Sequence, residues 1–152
     1  MKKSIFIKTG LVLILFLLSA IGCFFVLAAL LLKGFPDVDQ MRGCITTTMY
    51  QVNLCPQSPK YVRYNQISSA LIDAIIASED AAFFQHQGFD WYEIKKSVDQ
   101  NIKLGGYKRG ASTITQQLAK NVFLSKEKSL WRKVKEALIT YQIEKKFSKK
   151  EI

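Results

Sequence analysis

The sequence predicts a mainly α-helical protein, with one apolar helix at the N-terminus and a helical domain behind it. Three observations carry this. Thr9–Leu32 is an uncharged run dominated by Leu, Ile, Val, Phe and Ala, lying between Lys8 and Lys33. Four later stretches place apolar residues at the 3.6-residue period: Leu71/Ile72/Ile75/Ile76, Trp91/Ile94/Val98, Ile114/Leu118/Val122 and Leu130/Val134/Ala137/Leu138/Tyr141. Each stretch opens on a residue able to accept from free helix N–H groups: Ser68 or Ser69, Asp90, Ser112 or Thr113, and Ser129.

The apolar run is 24 residues long. At a rise of 1.5 Å per residue it extends about 36 Å, enough to cross a bilayer. It exceeds the apolar region of a signal peptide, so it reads as an uncleaved anchor. Lys2, Lys3 and Lys8 outnumber Lys33 and Arg42 on the other flank, which puts the N-terminus in the cytoplasm. The expected organisation is a cytoplasmic tail (1–8), a transmembrane helix (9–32), a stalk outside the membrane (33–60) and a domain (61–152). The stalk holds all three prolines, Pro36, Pro56 and Pro59, and reads as irregular extended chain with a short strand near Thr46–Tyr50. Cys44 and Cys55, eleven apart, either close a small loop by a disulfide or stay as two thiols.

The chain carries a net charge of +10. Residues 101–150 hold thirteen basic and three acidic side chains, a block that calls for an anionic partner such as lipid headgroups or a pyrophosphate. A domain carried outside by an anchor argues against nucleic acid.

Glu79-Asp80-Ala81-Ala82-Phe83-Phe84-Gln85-His86-Gln87-Gly88-Phe89-Asp90 gathers two adjacent carboxylates and a third at its end, three aromatics, the only histidine and a glycine. Adjacent helical residues do not share a face, so Glu79 and Asp80 are expected to have different jobs. Glu79, one turn on from Ile75 and Ile76, is placed at the rim of an apolar core, where desolvation raises a carboxylate's pKa as proton transfer near neutral pH requires. On spacing alone, a helix end with surface acids is the simpler reading. Asp90 and Glu93 form a capping-box pattern. Gly105–Gly110 is glycine-rich and basic and reads as a mobile loop. Behind it, Ser112, Thr113, Gln116, Gln117, Lys120 and Asn121 supply more polar capacity than a solvated face needs. In the last helix Arg132, Lys133, Lys135 and Glu136 sit opposite the apolar stripe, and Glu136 among cations is expected to stay ionised. No metal-ligand cluster is visible.

Three blocks stand in order, and together they resemble the peptidoglycan glycosyltransferases of family 51, the polymerase domain shared by class A penicillin-binding proteins and monofunctional biosynthetic transglycosylases. Glu79, Asp80, Phe83, His86 and Gly88 match Glu-Asp-x-x-Phe-x-x-His-x-Gly. Gly110, Ser112, Thr113, Ile114, Thr115, Gln116 and Gln117 match Gly-x-Ser-Thr-Ile-Thr-Gln-Gln, with Lys120 and Asn121 following. Arg132, Lys133 and Glu136 match Arg-Lys-x-x-Glu. The resemblance covers roughly Tyr61–Ile152. The anchor and the Thr48-Met49 stretch are more similar to the monofunctional enzymes. The family continues with Leu-Glu-x-Tyr-Leu-Asn and further helices, so the chain is expected to hold the N-terminal part of a lysozyme-like α-helical domain.

The resemblance implies an enzyme that joins lipid II units into glycan strands and releases undecaprenyl pyrophosphate, held by one span in the inner membrane with its domain in the periplasm. It implies Glu79 as the base for the attacking hydroxyl, and Glu136 as the second carboxylate, orienting cations at the donor. Lys120, Lys128, Arg132 and Lys135 would meet the pyrophosphate, while Ser112, Thr113, Gln116, Gln117 and Asn121 line the cleft. Asp80, Phe83, His86, Gly88 and Gly110 would hold the motifs in shape. The resemblance fixes no cofactor and leaves open that a divalent cation, Mg or Mn, shares the leaving-group role; other cell-wall synthesis proteins are compatible partners. Two rivals stand beside this reading: a membrane-tethered scaffold without turnover, and a glycan-cleaving lytic transglycosylase. The cations around Glu136 discriminate against the second, since cleavage releases no pyrophosphate.

Overall fold

The structure, a computed structural model, describes residues 13–26 and 34–152. They fall into two units divided between Phe35 and Pro36. In the first unit residues 13–26 are helical, with every side chain exposed. Among the described residues no helix is long and apolar enough to cross a membrane. The remainder of the expected span, 9–12 and 27–32, lies outside the described residues, as does the tail 1–8.

The second unit is mainly helical. Its elements are a 3-10 helix (Val38–Arg42), strands β1 (Ile45–Thr46) and β2 (Asn53–Leu54), a second 3-10 helix (Tyr64–Gln66), and α1 (Ser69–Glu79), α2 (Trp91–Lys103), α3 (Ile114–Phe123) and α4 (Leu130–Lys146). The caps choose among the sequence alternatives. Ser68 accepts from Leu71 N–H, Asp90 from Glu93 N–H, Thr113 from Gln116 N–H and Ser129 from Arg132 N–H. Thr113 completes a capping box, its own N–H donating to Gln116 Oε1 at 3.1 Å. At Asp90 only half the expected box forms, because the Glu93 carboxylate is engaged by Arg109 and Lys96.

Within the stretch expected as irregular extended chain, the first 3-10 helix packs on α4 and the hairpin turn bonds to α3. Cys44 and Cys55 are joined by a disulfide across the open end of a hairpin whose register pairs Ile45 with Leu54 and Thr46 with Asn53. The stretch expected as a strand, Thr46–Tyr50, contributes only Thr46; the rest is the hairpin turn. That turn caps α3, with Thr48 N–H donating to Val122 O at 2.9 Å and Met49 N–H to Asn121 O at 3.1 Å. Carbonyls at a helix C-terminus have no partner inside the helix, and here the hairpin supplies two.

The core is made where α3 packs on α4 and α4 on the first 3-10 helix. Ala119 and Val122, Ile139 and Ile143, and Val38 are fully enclosed. The buried faces differ from those predicted. Helix α4 turns Glu136, Ile139, Thr140 and Ile143 inward and leaves Leu130, Val134, Leu138 and Tyr141 exposed. Helix α3 buries Thr115, Gln116, Ala119 and Val122, with Ile114 and Leu118 at the edge. Helix α2 buries Ser97 alone and exposes Trp91 and Val98. The reason is partnership: a buried polar side chain costs little when hydrogen-bonded, so satisfied Glu136, Thr115 and Gln116 select the face over a longer apolar stripe.

Ion pairs close the far end. Lys146 Nζ stands 2.5 Å from Asp39 Oδ2, and Arg42 donates to Glu151 Oε1 at 2.9 Å. The Lys146 hydrogen bond holds Asp39 below its ordinary pKa; Ser148, then Arg42, does the same for Glu151.

Two predictions follow from these ties. Dithiothreitol, or Cys44→Ser, should destabilise the protein by about 3 kcal/mol, the loop-closure value for so short a ring; thermal unfolding with and without reductant checks this, and the Ser variant should ignore the reductant. Because Asp39 and Glu151 titrate low, their contribution is complete above the ordinary value of 4.5 for Glu and 3.8 for Asp, and is lost as pH falls through the lowered values. Acid unfolding of Lys146→Met should therefore show a shallower loss of stability below about pH 4 than the parent.

Candidate active site

Asp80 follows the last residue of α1 and is buried, while Glu79 before it is exposed. The two carboxylates part company as their spacing requires, though Glu79 does not lie against a packed apolar core: α1 buries no side chain completely. Asp80 faces inward and meets two partners. His86 Nε2 lies 2.9 and 3.1 Å from its two oxygens, and the Ile114 N–H at the start of α3 donates to Oδ2 at 3.0 Å. The Gly88 N–H donates to His86 Nδ1 at 3.1 Å, which assigns the ring proton to Nε2 and so to Asp80. Phe83 is buried with its ring edge-on to His86, and Lys149 Nζ sits 4.4 Å from its centroid.

Gly88 adopts φ 87°, and a Cβ there would come within 2.8 Å of Thr140 Cγ2 and 3.0 Å of Glu144 Cγ. Its carbonyl accepts from Thr113 Oγ1 at 2.7 Å. Sequence reasoning missed Glu144. It accepts from Thr115 Oγ1 at 2.5 Å and Lys149 Nζ at 2.8 Å, joining the second block to α4. The available signal was a lone acid on the helix face of Thr140, too ordinary to single out.

Glu79 accepts from Gln117 Nε2 at 2.8 Å, so the first and second blocks meet at this carboxylate. It lines a cavity of about 450 Å³ with Asp80, Asp90, Glu93, Arg109, Gly110 and Ala111. Beyond Ala111 lies a second cavity of about 540 Å³, walled by Ile94, Val98, Ile102 and Tyr107 of the α2 region and by Ser112, Gln116 and Lys133. Lys133 reaches both the Glu136 carboxylate and, at 3.2 Å, Ser112 Oγ; Arg132 Nη1 stands 3.8 Å from Glu136 on its other side. Glu136 stands between two cations as expected, but it is only 2% exposed, because the face opposite the predicted apolar stripe is the one turned inward here. Lys133 was absent from the predicted pyrophosphate set, although its spacing of three from Glu136 was a usable signal.

The other candidates are less concentrated. Lys135 lies over the Trp131 ring at 5.6 Å, Lys128 is exposed ahead of α4, and Lys120 is half-buried on α3. Asn121 belongs to the hairpin contact, about 12 Å along α3 from Thr113 at 1.5 Å per residue. Gly110 lacks a side chain where one would meet the Tyr107 hydroxyl at 3.2 Å. The expected mobile loop is fastened at its C-terminal end: Lys108 N–H and Arg109 N–H donate to Asn101 Oδ1 at 2.8 and 2.9 Å. Among the described residues no group of three or more His, Cys, Asp or Glu side chains is placed to hold a metal ion, so no step is assigned to a divalent cation.

A family profile described as "Transglycosylase" matches residues 46–152. The chain belongs to the transglycosylase family. Over 146 residues it is 42% identical to a biosynthetic peptidoglycan transglycosylase of Dechloromonas aromatica, covering 91% of this chain and 63% of that one. Proteins of the same name from Nitrosospira multiformis and Chromobacterium violaceum are each 52% identical over 93 residues, covering 61% of this chain and 40% and 41% of theirs. This transglycosylase chain thus spans 40–63% of the length of these relatives.

In this family member, Gly88→Ala should destabilise the unit by about 2–4 kcal/mol, combining a disfavoured φ with a clash inside a packed interface. Chemical denaturation measures it. A variant as stable as the parent would mean α4 is not fixed against Gly88.

Proposed function

We propose that the chain carries the acceptor-side and cationic machinery of a peptidoglycan glycosyltransferase that polymerises lipid II, tethered to the inner membrane by a single N-terminal span. One observation carries the reading. Glu79, a carboxylate able to take a proton, lines one cavity, and Lys133 lines a second that shares its Ala111 wall; behind Lys133 lies the buried Glu136, which Arg132 flanks on its other side. The Thr9–Leu32 run supports the tether, and a tether raises the effective concentration of a substrate that stays in the bilayer.

In this mechanism the 4-hydroxyl of the acceptor sugar enters the Glu79 cavity and attacks the anomeric carbon of the donor. Glu79 takes the hydroxyl proton as the new glycosidic bond forms. Gln117 holds the carboxylate so that its other oxygen faces the acceptor. The bond from the anomeric carbon to the pyrophosphate breaks, and negative charge grows on the phosphate oxygens. Lys133 and Arg132 meet that charge, with Lys120, Lys128 and Lys135 as further cations along the path. Glu136 keeps the two nearest cations in place in the absence of substrate, while Ser112, Thr113 and Gln116 offer hydroxyl and amide groups to the sugars and phosphate.

The test is strand formation from lipid-linked disaccharide-peptide in detergent, using the full gene product. Glu79→Gln keeps the Gln117 contact but removes the base, and should lower the rate about 10²–10⁴-fold. An unchanged rate sinks the assignment, and strands that shorten rather than lengthen would make the protein a cleaving enzyme.

A further inference from the structure

We infer that Arg109 is a positioning residue for the Glu79 cavity, acting through the Gly110–Ser112 segment that it fastens to α2. The inference rests on the glycosyltransferase reading above and adds to it a residue that lies outside all three sequence blocks.

The backbone N–H and carbonyl of Arg109 and both terminal nitrogens of its guanidinium are engaged by one helix. Its N–H donates to Asn101 Oδ1 at 2.9 Å, and its carbonyl accepts from Ser97 Oγ at 2.7 Å and Asn101 Nδ2 at 2.9 Å. Its guanidinium pairs with Glu93 and donates to Gln100 Oε1 at 3.3 Å. Residues 93, 97, 100 and 101 recur at the spacing of a single helix face. Helix α2 therefore presents a polar stripe that is met chiefly by one loop residue, with the Lys108 N–H sharing Asn101 Oδ1. Its only fully buried side chain, Ser97, belongs to that stripe.

The fastening sits where it controls the site. Arg109 and Glu93 line the same cavity as Glu79, and so do Gly110 and Ala111 immediately after the fastened residue. Ala111 and Ser112 then line the second cavity, where Ser112 receives Lys133. Four residues after Arg109 the chain is fixed again, because Thr113 caps α3 and donates to Gly88 O. Gly110–Ser112 is thus a short bridge held at both ends, and it forms the wall between proton acceptor and cations. Releasing its Arg109 end moves that wall without opening the apolar core, which lies between α3 and α4. The cavity is otherwise acidic (Glu79, Asp80, Asp90, Glu93) and the guanidinium is already paired, so a role as an anion-binding group does not fit.

The experiment compares Arg109→Ala, Arg109→Lys, Glu93→Gln and the double variant Arg109→Ala/Glu93→Gln in the full gene product. It reads kcat and KM for lipid-linked precursor, the thermal midpoint, and amide hydrogen exchange over 108–112. A part-exposed ion pair contributes little to global stability, so the midpoint should move by no more than about 2 °C. A wall displaced by about an ångström should lower kcat about 10–100-fold with KM within about twofold. Arg109→Lys should recover part of the rate, and the double variant should be no worse than either single one. Exchange at 108–112 should quicken in Arg109→Ala. The inference is overturned by parental kcat in Arg109→Ala, by a rise in KM at constant kcat, or by a loss of rate that tracks a lost midpoint. If the parent itself forms no strands, the reaction reading fails separately, and unchanged exchange in Arg109→Ala would sink the positioning role without reference to activity.

Discussion

The Asp80 carboxylate is the point on which the rest of the domain depends. One buried group accepts from the His86 ring and from the first N–H of α3, so it fixes the turn after α1 and the direction in which α3 starts. A carboxylate at a helix N-terminus is favoured by the helix dipole as well as by the hydrogen bond. Its loss would leave Ile114 N–H and His86 Nε2 facing a void, about 1–3 kcal/mol for each unsatisfied group. Everything that follows on α3, from the Thr113 cap to Gln117 on Glu79, takes its position from that start.

Around this anchor the functional groups are held by polar ties rather than by apolar packing. Thr113 to Gly88, Thr115 to Glu144, Lys133 to Ser112 and Arg109 to Glu93 are all contacts between residues distant in sequence. Apolar packing is indifferent to small rotations, whereas hydrogen bonds set direction to within tens of degrees. The proposed arrangement, a base on one side of a wall and cations on the other, benefits from that directionality. The hairpin closed by Cys44 and Cys55 completes the scheme at the other end of α3, where it satisfies two terminal carbonyls.

Much of the site was legible in the sequence because its residues are bound by local rules. Ser68, Asp90, Thr113 and Ser129 cap as residue type and position require, and the adjacency of Glu79 and Asp80 forces them apart. Glu144 and Asn101 were not legible, since a single acid or amide on a helix gives no sign of a partner twenty-nine or eight residues away. The cations around Glu136 were legible from their spacing, but its burial was not, because the stripe of Leu130, Val134, Leu138 and Tyr141 outweighs it in any count of apolar residues.

The sequence by itself determined the helices, their starts, the apolar N-terminal run and the three blocks that place the chain among the transglycosylases, because each depends on spacing within about a dozen residues. Tertiary structure alone decided which face of α4 is buried, which cations meet Glu136, and how the glycine-rich segment is fastened. Those outcomes depend on whether a polar group finds its partner across the fold. Periodicity counts only the apolar residues and cannot see that partner.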